Sequence, residues 1–189
     1  MKMNAWIFTF SLIFTLPVFS QRITFFREDL DFKLSNELFE VDGLYFFRNN
    51  THTEIRQMLF YPFPETEKYG DITYIQITPA NDTTSMLTTQ TAHGAMFKLM
   101  IPPEGEVACR IKYGQKIKSN VARYIITTTQ KWEKPFEKAA YSLQMHNDII
   151  LDSISILPDS VVRLADKTCF YWKRKNFMPV CDFDFFFRK

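Results

Sequence analysis

The sequence predicts an all-β fold, an antiparallel β-sandwich of the immunoglobulin-like or a related kind, standing behind an N-terminal export signal. Three observations predict it. Apolar residues recur with period two along several short runs, as happens when one strand face is buried and the other is wet. Aromatic residues make up 16% of the chain, with 20 Phe against 5 Gly, a composition that suits pleated, half-buried strands. Turn signals built on Pro, Asn, Asp and Gly recur about every 8–12 residues, the spacing of sandwiches and barrels.

In chain order, Met1-Lys2-Met3-Asn4 carries one early positive charge, and Ala5–Phe19 is almost wholly apolar, closing on Pro17-Val18-Phe19-Ser20. A short charged start, an apolar core of about 15 residues and slight residues at the exit describe a secretory signal peptide. A membrane span wants roughly 20 apolar residues. Cleavage is expected between Ser20 and Gln21, leaving residues 21–189 as one domain with no transmembrane span in the mature chain. The implied setting is secreted, periplasmic or cell-envelope.

Gly43–Arg48 and Glu54–Tyr61 read as strands, and Asn49-Asn50-Thr51 between them predicts a hairpin. Ile72–Ile77 is a strand that ends at Pro79-Ala80-Asn81-Asp82; Asn81–Gly94 has no period and reads as a surface loop. Pro102-Pro103-Glu104-Gly105 separates strands Met96–Ile101 and Glu106–Tyr113, since neither proline can continue a central ladder. Arg123–Thr129 is dense in β-branched residues and reads as a strand. The segment after Pro135 fits a helix or a strand, and the alternation of Ala139, Tyr141, Leu143 and Met145 favours the strand. Pro158-Asp159 and Asp166-Lys167 punctuate the last third before a final strand carrying Cys181, Phe183, Phe185 and Phe187 on one face. The predicted core is Val107, Ile111, Tyr113, Tyr124, Ile126, Trp132, Phe183 and Phe185.

Charge nearly balances, 23 Lys+Arg against 21 Asp+Glu, so nucleic acid is not an implied partner. His52, His93 and His146 share no metal-ligand spacing, and no Gly-rich phosphate loop occurs, so no metal or cofactor is expected. No G-x-S-x-G elbow is present, and Cys109 lies on the apolar face of its strand, where a thiol is an inert core residue. Asp182 and Asp184 share one strand face at about 7 Å, within the range glycosidases use. They make a secreted glycan-acting hydrolase the alternative to a non-catalytic chain, although acidic residues on a wet strand face are common.

Tyr171-Trp172-Lys173-Arg174-Lys175 mixes aromatic rings with positive charge and is the candidate contact surface, suited to an anionic glycan or a phosphate, or else a charged hairpin tip. Cys169 and Cys181 flank the polar stretch Lys173–Asn176. A hairpin there sets them opposite each other, within disulfide reach. Two reduced cysteines, or a pairing that involves Cys109, are the other arrangements open to three thiols. Asn49-Asn50-Thr51 and Asn81-Asp82-Thr83 match the N-glycosylation acceptor pattern.

Several segments resemble a known group. An aromatic strand with an Arg-Asn turn, Gly43–Asn50, leads to a strand ending Tyr61-Pro62-Phe63-Pro64. Thr127-Thr128-Thr129-Gln130-Lys131-Trp132-Glu133-Lys134-Pro135, a Thr-x-x-x-Trp-x-x-Pro segment, and Asn176-Phe177-Met178-Pro179 follow. Together they resemble secreted bacterial β-sandwich domains of unknown function, and more distantly the inter-α-trypsin-type domain. The resemblance implies a fold and an envelope or extracellular setting, and carries no catalytic residue. The function expected is a non-catalytic binding or structural module of the bacterial envelope or exterior, with an envelope or extracellular protein, or a glycan, as partner.

Overall fold

Alternation of apolar and polar side chains builds most of the molecule. The computed structural model describes residues 22–82 and 84–189, so the expected signal peptide and its Ser20–Gln21 cleavage site lie outside the described residues. Strands β1 (Ile23–Leu34), β2 (Leu38–Asn49) and β3 (Ile55–Pro62) lead into a short helix, α1 (Thr66–Tyr69). Then come β4 (Ile72–Pro79), β5 (Thr88–Thr91), β6 (Gly94–Ile101), β7 (Glu106–Lys116) and β8 (Val121–Tyr124). A 3-10 helix, Thr127–Trp132, precedes β9 (Phe136–His146), β10 (Ile150–Ile154), β11 (Ser160–Arg163), β12 (Lys167–Phe177) and β13 (Phe183–Arg188).

These strands form the predicted sandwich, with one layer divided. A seven-stranded sheet, ordered β11-β12-β9-β1-β2-β7-β4, is one layer; β3-β6-β5 and β10-β13-β8 are two smaller sheets. Both smaller sheets pack on the same face of the large one. Tyr61 of β3 meets Tyr45 and Tyr113, while Phe183 of β13 meets Phe32 and Tyr141. Phe32 is the centre of one half of the core, with Phe39, Tyr124, Phe183 and Phe185 at ring-centroid distances between 5.3 and 5.7 Å. All pairings are antiparallel except β1 with β9.

A bulge in β1 sets which residues face inward. The register shifts between Phe25 and Arg27, so the extra residue reverses parity. Phe25 then shares the inner face with Glu28, Leu30, Phe32 and Leu34, and Phe26 is turned to the other face, against Phe46.

Several expectations are corrected. β2 and β3 form no hairpin: β2 pairs with β1 and β7, and β3 pairs with β6. The cause is Asn49, which is buried. Its amide nitrogen donates to the carbonyls of Thr53 (2.7 Å) and Pro102 (2.9 Å), and its Oδ1 accepts from the Thr51 N–H at 2.8 Å. The turn is thus bound to the β6–β7 connection and carries the chain into the second layer. With its amide so occupied, Asn49 offers no glycan attachment point in the folded state. The strand expected over Arg123–Thr129 stops at Tyr124, because the Asp182 carboxylate accepts from Thr127 Oγ1 (2.7 Å) and from two backbone N–H groups, winding Thr127–Trp132 into the 3-10 helix. The loop read over Asn81–Gly94 contains β5, whose residues are all exposed and so carry no apolar period. Of the predicted core, Val107 and Trp132 are half-buried and the rest are buried.

The expected Cys169–Cys181 hairpin is absent. β12 pairs with β9 and β11, β13 pairs with β10 and β8, and the two strands lie in different sheets. Cys109, Cys169 and Cys181 are all free thiols, with Cys181 exposed and the other two buried. Burial pushes the Cys109 thiol up to about 12. No helix among the described residues is long and apolar enough to cross a membrane.

Candidate functional site: a cleft at the seam of the divided layer

Splitting one layer leaves a seam, and the seam is open. Each small sheet ends there in an edge strand, β3 on one side and β8 on the other. The cleft between them has a volume of about 620 Å³, within the range of small-molecule sites. Six consecutive residues, Gln57 to Pro62, line it. Side chains alternate between the faces of a strand, so an unbroken run means that β3 presents its edge. The opposite wall is Tyr124–Ile126 with the 3-10 helix.

The floor is aromatic and belongs to the large sheet. Trp132 packs on Phe25 and Phe47 with both centroids at 5.9 Å, Phe25 stacks on Phe47 at 4.9 Å, and Phe25 meets Tyr45 at 6.1 Å. The Tyr45 hydroxyl then lies 2.9 Å from that of Tyr61 and 3.1 Å from that of Tyr124. One hydroxyl from each of the three sheets thus meets beneath the seam. Gly43 makes this possible: a Cβ there would stand 2.6 Å from the Tyr45 ring and hydroxyl.

Glu28 lies directly across the β1–β2 ladder from Tyr45 and lines the cleft. It is 2% exposed, and the Tyr141 hydroxyl donates to its Oε1 at 2.8 Å. Burial pushes its carboxyl up to about 8, with nearby Asp29 adding to the rise and the Tyr141 bond opposing it. At neutral pH the group is therefore mostly protonated. Burial likewise raises the hydroxyls of Tyr45, Tyr61 and Tyr124 well above the usual phenol range. The cleft interior is uncharged. Its charges sit at the rim, where Arg22 and Lys131 are both exposed.

The residues singled out in the sequence lie elsewhere. Tyr171, Trp172, Lys173, Arg174 and Lys175 occupy β12, whose alternation splits them: Trp172 is buried, its Nε1 donating to the Ile156 carbonyl at 2.9 Å. Arg174 is bound to both oxygens of Asp159, at 2.6 Å each. Tyr171, Lys173 and Lys175 are exposed. Asp182 caps the 3-10 helix and Asp184 receives two 2.6 Å bonds from Arg123. Neither lines the cleft. His52 and His146 pair with Glu104 and Asp148, at 3.0 and 2.8 Å. Among the described residues no three His, Cys, Asp or Glu side chains are grouped to hold a metal. Among the described residues, Glu28 is the one carboxyl lining the cleft, and no His or Cys joins it there. The arrangement offers shape, aromatic surface and a neutral acid rather than a nucleophile with its base.

The amino-acid sequence matches no family model and no curated protein. The structure does have counterparts. It is similar to a candidate nutrient-binding protein of Legionella pneumophila subsp. pneumophila str. Philadelphia 1, with a TM-score of 0.69 and 13% identity, covering 88% of this chain and 67% of that one. It is also similar to the M1 zinc metallopeptidase of Deinococcus radiodurans, with a TM-score of 0.53 and 10% identity, covering 88% of this chain and 43% of that one. The likeness is one of fold. This chain spans about two thirds of the first protein and well under half of the second, and its predominantly β architecture is what they share.

Glu28 and the cleft escaped the sequence reading for a definite reason. Glu28 stands between Arg27 and Asp29 and reads as part of a charged stretch. One signal was present: Glu28, Leu30, Phe32 and Leu34 share one parity, which places a carboxylate on an otherwise apolar face.

Proposed function

We propose that the chain is a non-catalytic binding module, exported and working in the bacterial envelope or exterior, that holds its ligand in the seam cleft. The observation that carries the reading is the cleft itself: a concave, aromatic-floored space between two edge strands, with a buried neutral acid and a cluster of oriented hydroxyls beneath it. Sites for small ligands have this character, mostly apolar with a few placed polar groups. The fold shared with a candidate nutrient-binding protein is compatible with it. The apolar start of the sequence and its Val18-Phe19-Ser20 exit support export.

Native mass spectrometry of the protein taken from its own host tests both parts. The expected result is a chain beginning at Gln21, recovered from the envelope or medium with a non-covalent small molecule. That adduct should be lost from a Leu59→Trp variant, in which a larger side chain on β3 fills the cleft. Recovery in the cytosol with residues 1–20 intact would overturn export. An adduct retained by the filled variant would overturn the assignment of the site.

A further inference from the structure

The lining of the cleft is asymmetric in charge, and the asymmetry identifies a ligand class. Resting on the reading of the cleft as a ligand site, we propose that it takes an amphipathic anion: an apolar chain on the Phe25–Phe47 floor, and a carboxylate head at the rim between Arg22 and Lys131.

Three features point this way. First, the rim cations are uncompensated: neither Arg22 nor Lys131 has an ion-pair partner among the described residues, and the one carboxyl lining the cleft is the inward, protonated Glu28. A cationic ligand would pass two like charges and reach a neutral floor. An anionic head gains charge-assisted contacts and keeps its solvation at the rim. Second, the inner polar groups already bond one another. Tyr45 is engaged by Tyr61 and Tyr124, and Glu28 by Tyr141. A sugar pressed onto this floor would bury hydroxyls without partners, a cost that an aliphatic chain does not incur. Third, the lip is apolar and pliable. Met58 and Phe60 of β3 are 50% and 55% exposed and line the opening, and unbranched Met side chains adapt to a ligand's shape.

The test is fluorescence displacement on the chain purified from its host, with N-phenyl-1-naphthylamine, an uncharged apolar dye, as reporter. Decanoate, decanol and decylamine compete at pH 7, so chain length is fixed and head charge varies. The dye should enter the wild type and not the Leu59→Trp variant, and decanoate should displace it at the lowest concentration. An Arg22→Gln/Lys131→Gln double variant, altered only at exposed positions, should lose about tenfold in decanoate affinity. Decanol binding and the melting temperature should not change. Decylamine equal to or better than decanoate, or a double variant indistinguishable from wild type, would overturn the anion while leaving the ligand cleft standing. Exclusion of the dye from folded wild type would overturn the cleft reading itself.

Discussion

Glu28 concentrates the physical chemistry of the site in one side chain. Its carboxyl is raised from an ordinary 4.5 to about 8 by burial. The Tyr141 hydroxyl bonds it, Asp29 adds a nearby charge, Tyr45 stands across the β1–β2 ladder, and Tyr124 of β8 lies close enough for the two to influence each other electrostatically. Such a group is protonated more readily in the folded than in the unfolded chain. Its contribution to stability is therefore fully present below about pH 4.5 and is lost as pH rises through about 8. Urea unfolding between pH 5 and pH 9 should show stability falling with pH over that window. Glu28→Gln, which keeps size and an acceptor for Tyr141, should flatten the slope; an unchanged slope would assign it to other groups. Gly43 is the second critical residue, because the Tyr45 ring occupies the space of its missing side chain. Gly43→Ala should cost roughly 1–3 kcal/mol by forcing that ring aside, and loss of the tyrosine hydroxyl contacts should be visible in near-ultraviolet absorbance.

Among the elements, β1 shows what a sequence can and cannot disclose. The alternation of Leu30, Phe32 and Leu34 with Asp29, Asp31 and Lys33 marks a strand on its face. The bulge at Phe26 breaks the parity, so Phe25 and Glu28 share a side that simple alternation denies them. β13 was legible because it keeps strict alternation, and β7 and β9 because Cys109, Ile111 and Tyr113, and Ala139, Tyr141, Leu143 and Met145, each hold one parity; β5 was not, because all its residues are exposed and carry no apolar period. The turn after β2 misled for another reason: Asn-Asn-Thr reads as a hairpin turn, and only the buried Asn49 amide, bound to residues of the β6–β7 connection, sends the chain across the layers. Removing that amide takes the partner from the Thr51 N–H and one donor each from the Thr53 and Pro102 carbonyls. Asn49→Ala is expected to cost on the order of 2–4 kcal/mol, measured by denaturant midpoint. A loss under 0.5 kcal/mol would mean that water replaces the side chain there. The cleft itself was illegible, because it is a gap between edges and no residue pattern encodes a gap.

At the scale of the molecule, the large sheet joins distant parts of the chain. β1 pairs with β2 through a short turn, but its other edge pairs in parallel with β9, from Arg27 with Lys138 to Leu34 with Met145. A chain made N-terminus first therefore completes one side of β1 early and leaves the other side without its neighbour until β9 has been synthesised. Non-local pairing of this kind slows folding, and a long strand edge with its backbone groups left open recruits other chains. A chain truncated after Lys134 should accordingly self-associate, where the full chain stays dispersed; a monodisperse truncated form in sedimentation would show that β1 is guarded in some other way. The same ladder makes the final third of the sequence a chaperone for the first. Until it arrives, Glu28 and the aromatic floor stand open to solvent, so whatever meets this chain during its synthesis meets the surface that the finished protein folds into the walls and floor of a cleft.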